Sequence, residues 1–448
     1  MFKYLKGILT LSIAIFIVVM FWYGAKQQLI YVNTDLELYD QSAYMRYAQN
    51  MYESNYTFVG GRDRMPVYPF LQSVFFRSGI TDDTFFTQGK YFNVVLSILL
   101  LILLALIHHH YFHSFHTLNL ILIYTFPVFI FKAAYFQTEL LFYFLNFCLF
   151  ILMWSLLKRA SLFIAVITGI IAGVAHLTKA SILPGLLLFF VLATVKWGIT
   201  AYQYWQSNPT QISIKRLIKY VLIVPLVGIT FLVVLYPFIK TSKEDFGSYF
   251  YNVNSTFYIW YDSWKEVEEG TRAFGDRVGW PEMPVEDIPS ISRYLQEHTI
   301  ENILDRFVTG GVRIIFNMIN SYGYFKYLII YMTLLTVICL LMWWKTKEKL
   351  KDDPILLLFI ILYFTIYFLL YSWFTPIAAG NRFILAQFIP FMFTISVGLH
   401  KLLQSNRITI GRYSIQQIAL LNWFVLPVLL IDIYLILSER INMIYGGS

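Results

Sequence analysis

The sequence predicts an all-α polytopic membrane protein. It has about eleven transmembrane helices, amphipathic juxtamembrane helices in a first outer loop, and a second large outer segment. Three observations predict this class. Of the 448 residues, 58% are hydrophobic and only 13% charged, where soluble domains carry roughly a quarter charged. Mean hydropathy is +0.61. Apolar runs approaching the ~20 residues that cross a hydrocarbon core recur along the whole chain. A soluble chain of this length cannot bury so much apolar surface. Disorder demands the opposite composition.

The expected spans cover residues 7–24, 91–110, 118–133, 140–157, 161–177, 181–197, 220–239, 324–344, 354–374, 383–403 and 418–437. The first follows Lys3 and Lys6 and lacks a small-residue cleavage site, so it reads as an uncleaved anchor. The third to sixth are short and joined by tight turns, which predicts a packed cluster. Three parts follow: a transmembrane module over 1–240 including an outer loop at 25–90, an outer segment over 241–323, and C-terminal helices over 324–448. Cys148 and Cys339 lie in apolar runs and read as core packing.

Basic residues in short loops set orientation. Lys3, Lys6, Lys158, Arg159, Lys196, Lys215, Arg216, Lys219, Lys345, Lys347, Lys349, Lys351, Lys401, Arg407 and Arg412 all fall on one side if the N-terminus is cytoplasmic. The C-terminus, Ser448, is then outside. The net charge of +8 is thereby a topology signal and not a nucleic-acid footprint. Glu348, Asp352 and Asp353 fall inside and Asp432 in the last span; the other 22 of 26 acids lie outside. Pumps and channels place ionisable groups in mid-membrane. Here polar chemistry gathers at the outer face, which favours an interfacial enzyme.

In the first outer loop, Asp40, Tyr44, Ala48 and Met51 share one helical face, as on an amphipathic helix lying on a membrane. Asp40 starts it, where the helix dipole favours a carboxylate. Arg62 and Arg64 precede the bend at Pro66 and Pro69, and Pro69 is expected to open a second surface helix to about Phe76. In the second outer segment, Ile291, Tyr294 and Leu295 mark one helix. Ile303, Phe307, Ile314 and Ile315 mark another, with Gly310-Gly311 as its expected break. Asn55-Tyr56-Thr57 and Asn254-Ser255-Thr256 fit the N-glycosylation pattern.

The order of these features carries a resemblance. It runs Asp40-x-x-x-Tyr44-x-x-x-Ala48, Arg64-Met65-Pro66-Val67-Tyr68-Pro69, Gln137-Thr138-Glu139-Leu140-Leu141, Gly173-Val174-Ala175-His176-Leu177-Thr178-Lys179, then Gly380-Asn381-Arg382-Phe383. The chain resembles the C-type (GT-C) integral-membrane glycosyltransferases, most nearly the protein O-mannosyltransferase and lipid A aminoarabinose transferase branch. The resemblance implies a polyprenyl-phosphate-linked sugar donor and a lipid, glycan or protein acceptor, with transfer on the outer face of a membrane such as the bacterial inner membrane. It implies Asp40 as base and Glu139 as the second acidic site residue. Arg64, Arg62, Lys179 and Arg382 become donor-phosphate cations, and Tyr44 and Tyr68 further substrate contacts. The family often has Asp-Glu where this chain has Asp40-Gln41, and Pro66-Val67-Tyr68 is one residue tighter than in relatives.

Bland readings stand beside these. Asp40 caps a helix, Glu139 pairs with Lys132, and the cations touch lipid headgroups. His176 reads as packing, and so does the tract His108, His109, His110, His113 and His116, which faces the cytoplasm. No nucleotide fingerprint or Asp-x-Asp pair occurs, so no metal is expected to be required, a divalent ion being the alternative. Two other functions compete: a polysaccharide polymerase or ligase using Arg272, Arg277 and Arg293, and a lipid-linked sugar flippase.

Overall fold

The computed structural model describes residues 2–58, 60–207, 214–342, 353–378, 380–403, 407–410 and 413–443. Lys345, Lys347, Glu348, Lys349, Lys351, Asp352, Arg412 and Ser448 lie outside these. Among the described residues, nine helices are long and apolar enough to cross a membrane: Leu11–Val32, Asp82–Tyr111, Ser114–Lys132, Glu139–Lys158, Ala180–Gln206, Leu217–Phe246, Tyr322–Leu341, Pro354–Phe374 and Gln417–Arg440. Leu162–Thr178 and Phe388–Leu403 are shorter apolar helices. Each expected span thus meets a helix, two of them below crossing length. Among the described residues the strands form a single antiparallel ribbon pairing Arg407–Ile410 with Tyr413–Gln416, which departs from the expected all-α chain.

Ser114–Lys132 and Glu139–Lys158 are the most enclosed helices. Both are apolar all round, as a helix surrounded by other helices must be. Their neighbours pack by close approach. Gly169 and Gly173, four apart on Leu162–Thr178, face Val227, Thr230 and Val234 of the Ile214–Phe246 helix so closely that a Cβ at Gly169 would meet the Val227 carbonyl oxygen at 2.5 Å. Small residues in this register let two helices gain dispersion contact that lipid cannot supply. Pro354 stands in the first turn of its helix, where its missing N–H costs nothing. Asp353 caps the same turn by accepting the Leu356 N–H at 3.1 Å. The first and last spans meet where the buried Gln28 amide donates to the Ile441 and Met443 carbonyls.

The loop elements depart from expectation in two places. Gln41–Glu53 forms as expected, yet its Tyr44–Ala48 face packs on protein, against Tyr68, Phe76, Phe85 and Phe136. The short Val67–Ser73 helix behind it supplies an aromatic cover that periodicity alone cannot see. Gly310-Gly311 does not break its helix, which runs from Ile300 to Asn320. Gly310 instead lies against the Ser372 carbonyl and Thr375. The glycines let this helix approach Pro354–Phe374. Its other face exposes Leu304, Val308, Ile315 and Ile319, the stripe of a helix resting on an apolar medium.

Charges segregate to opposite ends of the bundle. At one end Lys196 binds Asp353 at 2.8 Å, with Lys158 and Lys401 in the same field. At the other end gather Asp40, Arg64, Glu139, Lys179 and Arg382.

Candidate active site

Asp40 sits at the N-terminus of Gln41–Glu53, but its carboxylate makes no capping hydrogen bond. Arg64 Nη2 donates to Oδ1 and Arg382 Nη1 to Oδ2, each at 2.7 Å. The helix-cap reading of Asp40 therefore fails: two guanidiniums hold both oxygens. Such charge-assisted bonds are about twice as strong as neutral ones.

What holds Asp40 there is a polar joint absent from the sequence reading. Gln41 is buried and exchanges reciprocal hydrogen bonds with Asn33, at 2.8 and 2.7 Å. Its Oε1 also accepts the Phe136 N–H at 2.7 Å. Asn33 donates in turn to the Ala134 carbonyl, and Lys90 donates to the Asn33 carbonyl at 2.7 Å. Gln41 ties the Asp40 loop to the turn that leads into Glu139.

Glu139 is the first residue of its helix, where the backbone dipole favours a negative charge. It is 4% exposed. Lys179 Nζ stands 3.8 Å from its Oε1, while Oε2 has no hydrogen-bond partner among the described residues. Lys179 ends Leu162–Thr178 in extended backbone, which turns its side chain inward between Phe142 and Phe383. Lys132 feels Glu139 and Arg382 and packs over Tyr324. Lys132 thus joins the site rather than forming an isolated surface pair with Glu139. Arg382 is steadied through its backbone, whose carbonyl accepts the Tyr143 hydroxyl at 2.8 Å.

Arg64 also bonds the Asp63 carbonyl, and Asp63 is shared at 3.7 Å between Arg64 and Arg277. Tyr44 lays its ring 5.6 Å from the Arg64 guanidinium. Tyr68 is fully buried: its hydroxyl accepts from Gln72 and its ring packs edge-on against Tyr44 and Phe136. Tyr68 supports Tyr44 from behind and lies within the electrostatic reach of Glu139. Arg62 points away from the cluster, to Thr241 and Phe238.

The electrostatics are those of a cation-rich cluster. Around Asp40 and Glu139 stand Arg64, Arg382, Lys179 and Lys132, and Asp63 beside Arg64 makes it four cations to three carboxylates. Burial would raise the Asp40 carboxyl, but Arg64, Arg382 and Lys179 outweigh it and hold the group below its ordinary value. Burial pulls Lys179 down to about 8, with Glu139 resisting. Burial, and then Glu139, push the Tyr44 phenol far up, so it stays a neutral donor.

Other candidates disperse. Arg272 pairs with Glu268, Arg277 with Asp63, and Arg293 with Asp287 and Glu297; they share no recess. His108 is buried against Phe147 and hydrogen-bonded to the Leu104 carbonyl and Tyr124. His116 meets Asn422, and His176 packs between Phe231 and Phe238. Among the described residues no group of three metal-ligating side chains forms. Asp432, the acid in the last span, is paired with Lys326 and Tyr327. No family model, curated protein or solved structure matches the chain.

Proposed function

We propose that the protein is a membrane glycosyltransferase that moves a sugar from a polyprenyl-phosphate donor to a lipid, glycan or protein acceptor, with inversion. The observation that carries this reading is the half-buried cluster in which Arg64, Arg382, Lys179 and Lys132 outnumber Asp40, Asp63 and Glu139 at one end of an apolar bundle. An excess of positive charge at that depth suits a phosphate joined to a long apolar chain. The chain stays in the bilayer while the phosphate reaches Arg64, Arg382 and Lys179. Arginine forks match phosphate oxygens in pairs.

In this reading the acceptor hydroxyl oxygen attacks the anomeric carbon while the bond from that carbon to the phosphate oxygen breaks. The phosphate leaves with the electron pair, and the cations stabilise the charge it gains. Asp40, kept ionised by its guanidiniums, takes the hydroxyl proton. Glu139 Oε2, buried and unpartnered, accepts a hydroxyl of the sugar or acceptor. The N-terminus faces the cytoplasm and the site faces outward, in a bacterial inner membrane or its equivalent.

The test is mass spectrometry of surface lipids and glycans in cells lacking the protein, complemented by wild type or by Asp40→Asn. One modification is expected to vanish on deletion, return with wild type and stay absent with the variant. A full return with Asp40→Asn overturns the assignment of the base.

A further inference from the structure

Arg62 has a setting that the proposed transfer does not use. It is 1% exposed. Its guanidinium lies 4.0 Å over the Phe238 ring and 5.6 Å from that of Phe246. Nη2 donates to Thr241 Oγ1 at 2.6 Å and to the Phe238 carbonyl at 3.4 Å, while Nε has no partner among the described residues. Among the described residues no carboxylate reaches ion-pair distance of it; Asp245 acts only from farther off. The backbone is left-handed here, with φ of 49°, a conformation that a long side chain adopts at a cost. A buried cation without a counter-ion is also costly. Two costs are thus accepted to point one guanidinium at one place.

That place is a pocket of about 220 Å³ walled by Tyr47, Phe58, Pro66, Leu177, Pro237 and Phe238. One wall comes from the outer loop and the other from the ends of two apolar helices. Val233 and Tyr236, beside the pocket on the Leu217–Phe246 helix, are exposed, so a molecule lying against that helix reaches the opening. The walls mix aliphatic and aromatic side chains with the hydroxyls of Thr57 and Thr241, and the charge at their end is positive. An occupant that satisfies both is amphipathic, with an anionic head and an apolar chain.

We propose that this pocket binds the phosphate head and adjoining chain of a phospholipid, at a site separate from the Asp40 recess. The phosphate displaces Thr241 Oγ1 from Nη2 as the covered guanidinium turns toward the pocket, and the chain runs out past Leu177 and Pro237. The proposal does not depend on glycosyl transfer.

The test measures the melting temperature of the full chain in detergent with phosphatidic acid, with diacylglycerol of the same chains, or with inorganic phosphate. Phosphatidic acid is expected to raise it by roughly 2 °C or more, and the other two are expected to leave it unchanged. The rise is expected to vanish in Arg62→Gln and to persist in Arg382→Gln, which touches only the Asp40 recess. Thr57→Trp, at an exposed residue on the pocket's rim, keeps Arg62 intact and is expected to abolish the rise by filling the opening. A rise that survives both Arg62→Gln and Thr57→Trp, that is lost in Arg382→Gln, or that inorganic phosphate or diacylglycerol reproduces, overturns the proposal.

Discussion

Asp40 and Arg382 are 342 residues apart in the chain and meet at 2.7 Å. The contact joins the first outer loop to the short Asn381–Leu385 helix, and with Arg64 it occupies both oxygens of one carboxylate. A carboxylate so held stays ionised, and a phosphate entering the recess competes for the same two guanidiniums.

Replacing Asp40 by Asn removes the proton acceptor while keeping the side chain's shape. Transfer is expected to fall by about 10²–10⁴-fold with expression unchanged, measured as product formed by purified protein at saturating donor. Loss confined to donor KM would instead make Asp40 a positioning residue for the arginines.

The same carboxylate makes stability depend on acid. Its folded pKa lies below the ordinary 3.8, so its contribution is fully present above that value and is lost as pH falls through the lower folded value. Wild type is expected to lose stability more steeply than Asp40→Asn below about pH 4. Thermal melts of both proteins across pH 2–6 would reveal the difference, and parallel curves would argue against it.

Lys179 titrates on the alkaline side. Burial lowers it to about 8, so it loses its charge well before an exposed lysine does. Donor KM is expected to rise as pH passes 8. Lys179→Arg, which keeps its charge, is expected to shift that rise upward. For stability the sign is reversed: between about 8 and the ordinary 10.5 the unfolded chain binds the extra proton, so folding strengthens with pH there.

Gly169→Leu puts a side chain into the Thr230–Val227 contact. Overpacking of this kind costs about 1–3 kcal/mol. Because the Leu162–Thr178 helix also ends on Lys179, transfer is expected to fall along with the melting temperature. Gly198→Leu, with nothing near its Cβ position, is the control expected to change neither.

Transfer is expected to persist in EDTA, since arginine and lysine supply the positive charge in this reading. Loss of activity in EDTA with recovery on adding Mn²⁺ or Mg²⁺ would place a divalent ion in the reaction.

The sequence by itself determined the helices and the ends of the bundle. Composition and run length are local properties, and hydrocarbon-length apolar segments have few alternatives to helix. Scarce charges stand out in an apolar chain, and among them the resemblance to GT-C glycosyltransferases pointed to Asp40, Arg64, Glu139, Lys179 and Arg382. Only tertiary structure decided which of them meet. Arg62 and Arg64 are two residues apart, yet one faces Asp40 and the other an aromatic pocket, because the left-handed backbone at Arg62 turns the two side chains apart. The joint of Asn33, Gln41 and Lys90 was equally hidden, since buried amides and their carbonyl partners lie far apart in sequence. Lys132 enters the site for a similar reason: the π-helical turn Thr125–Phe129 precedes it, and helix register, set by packing, decides which side of a helix a charge faces.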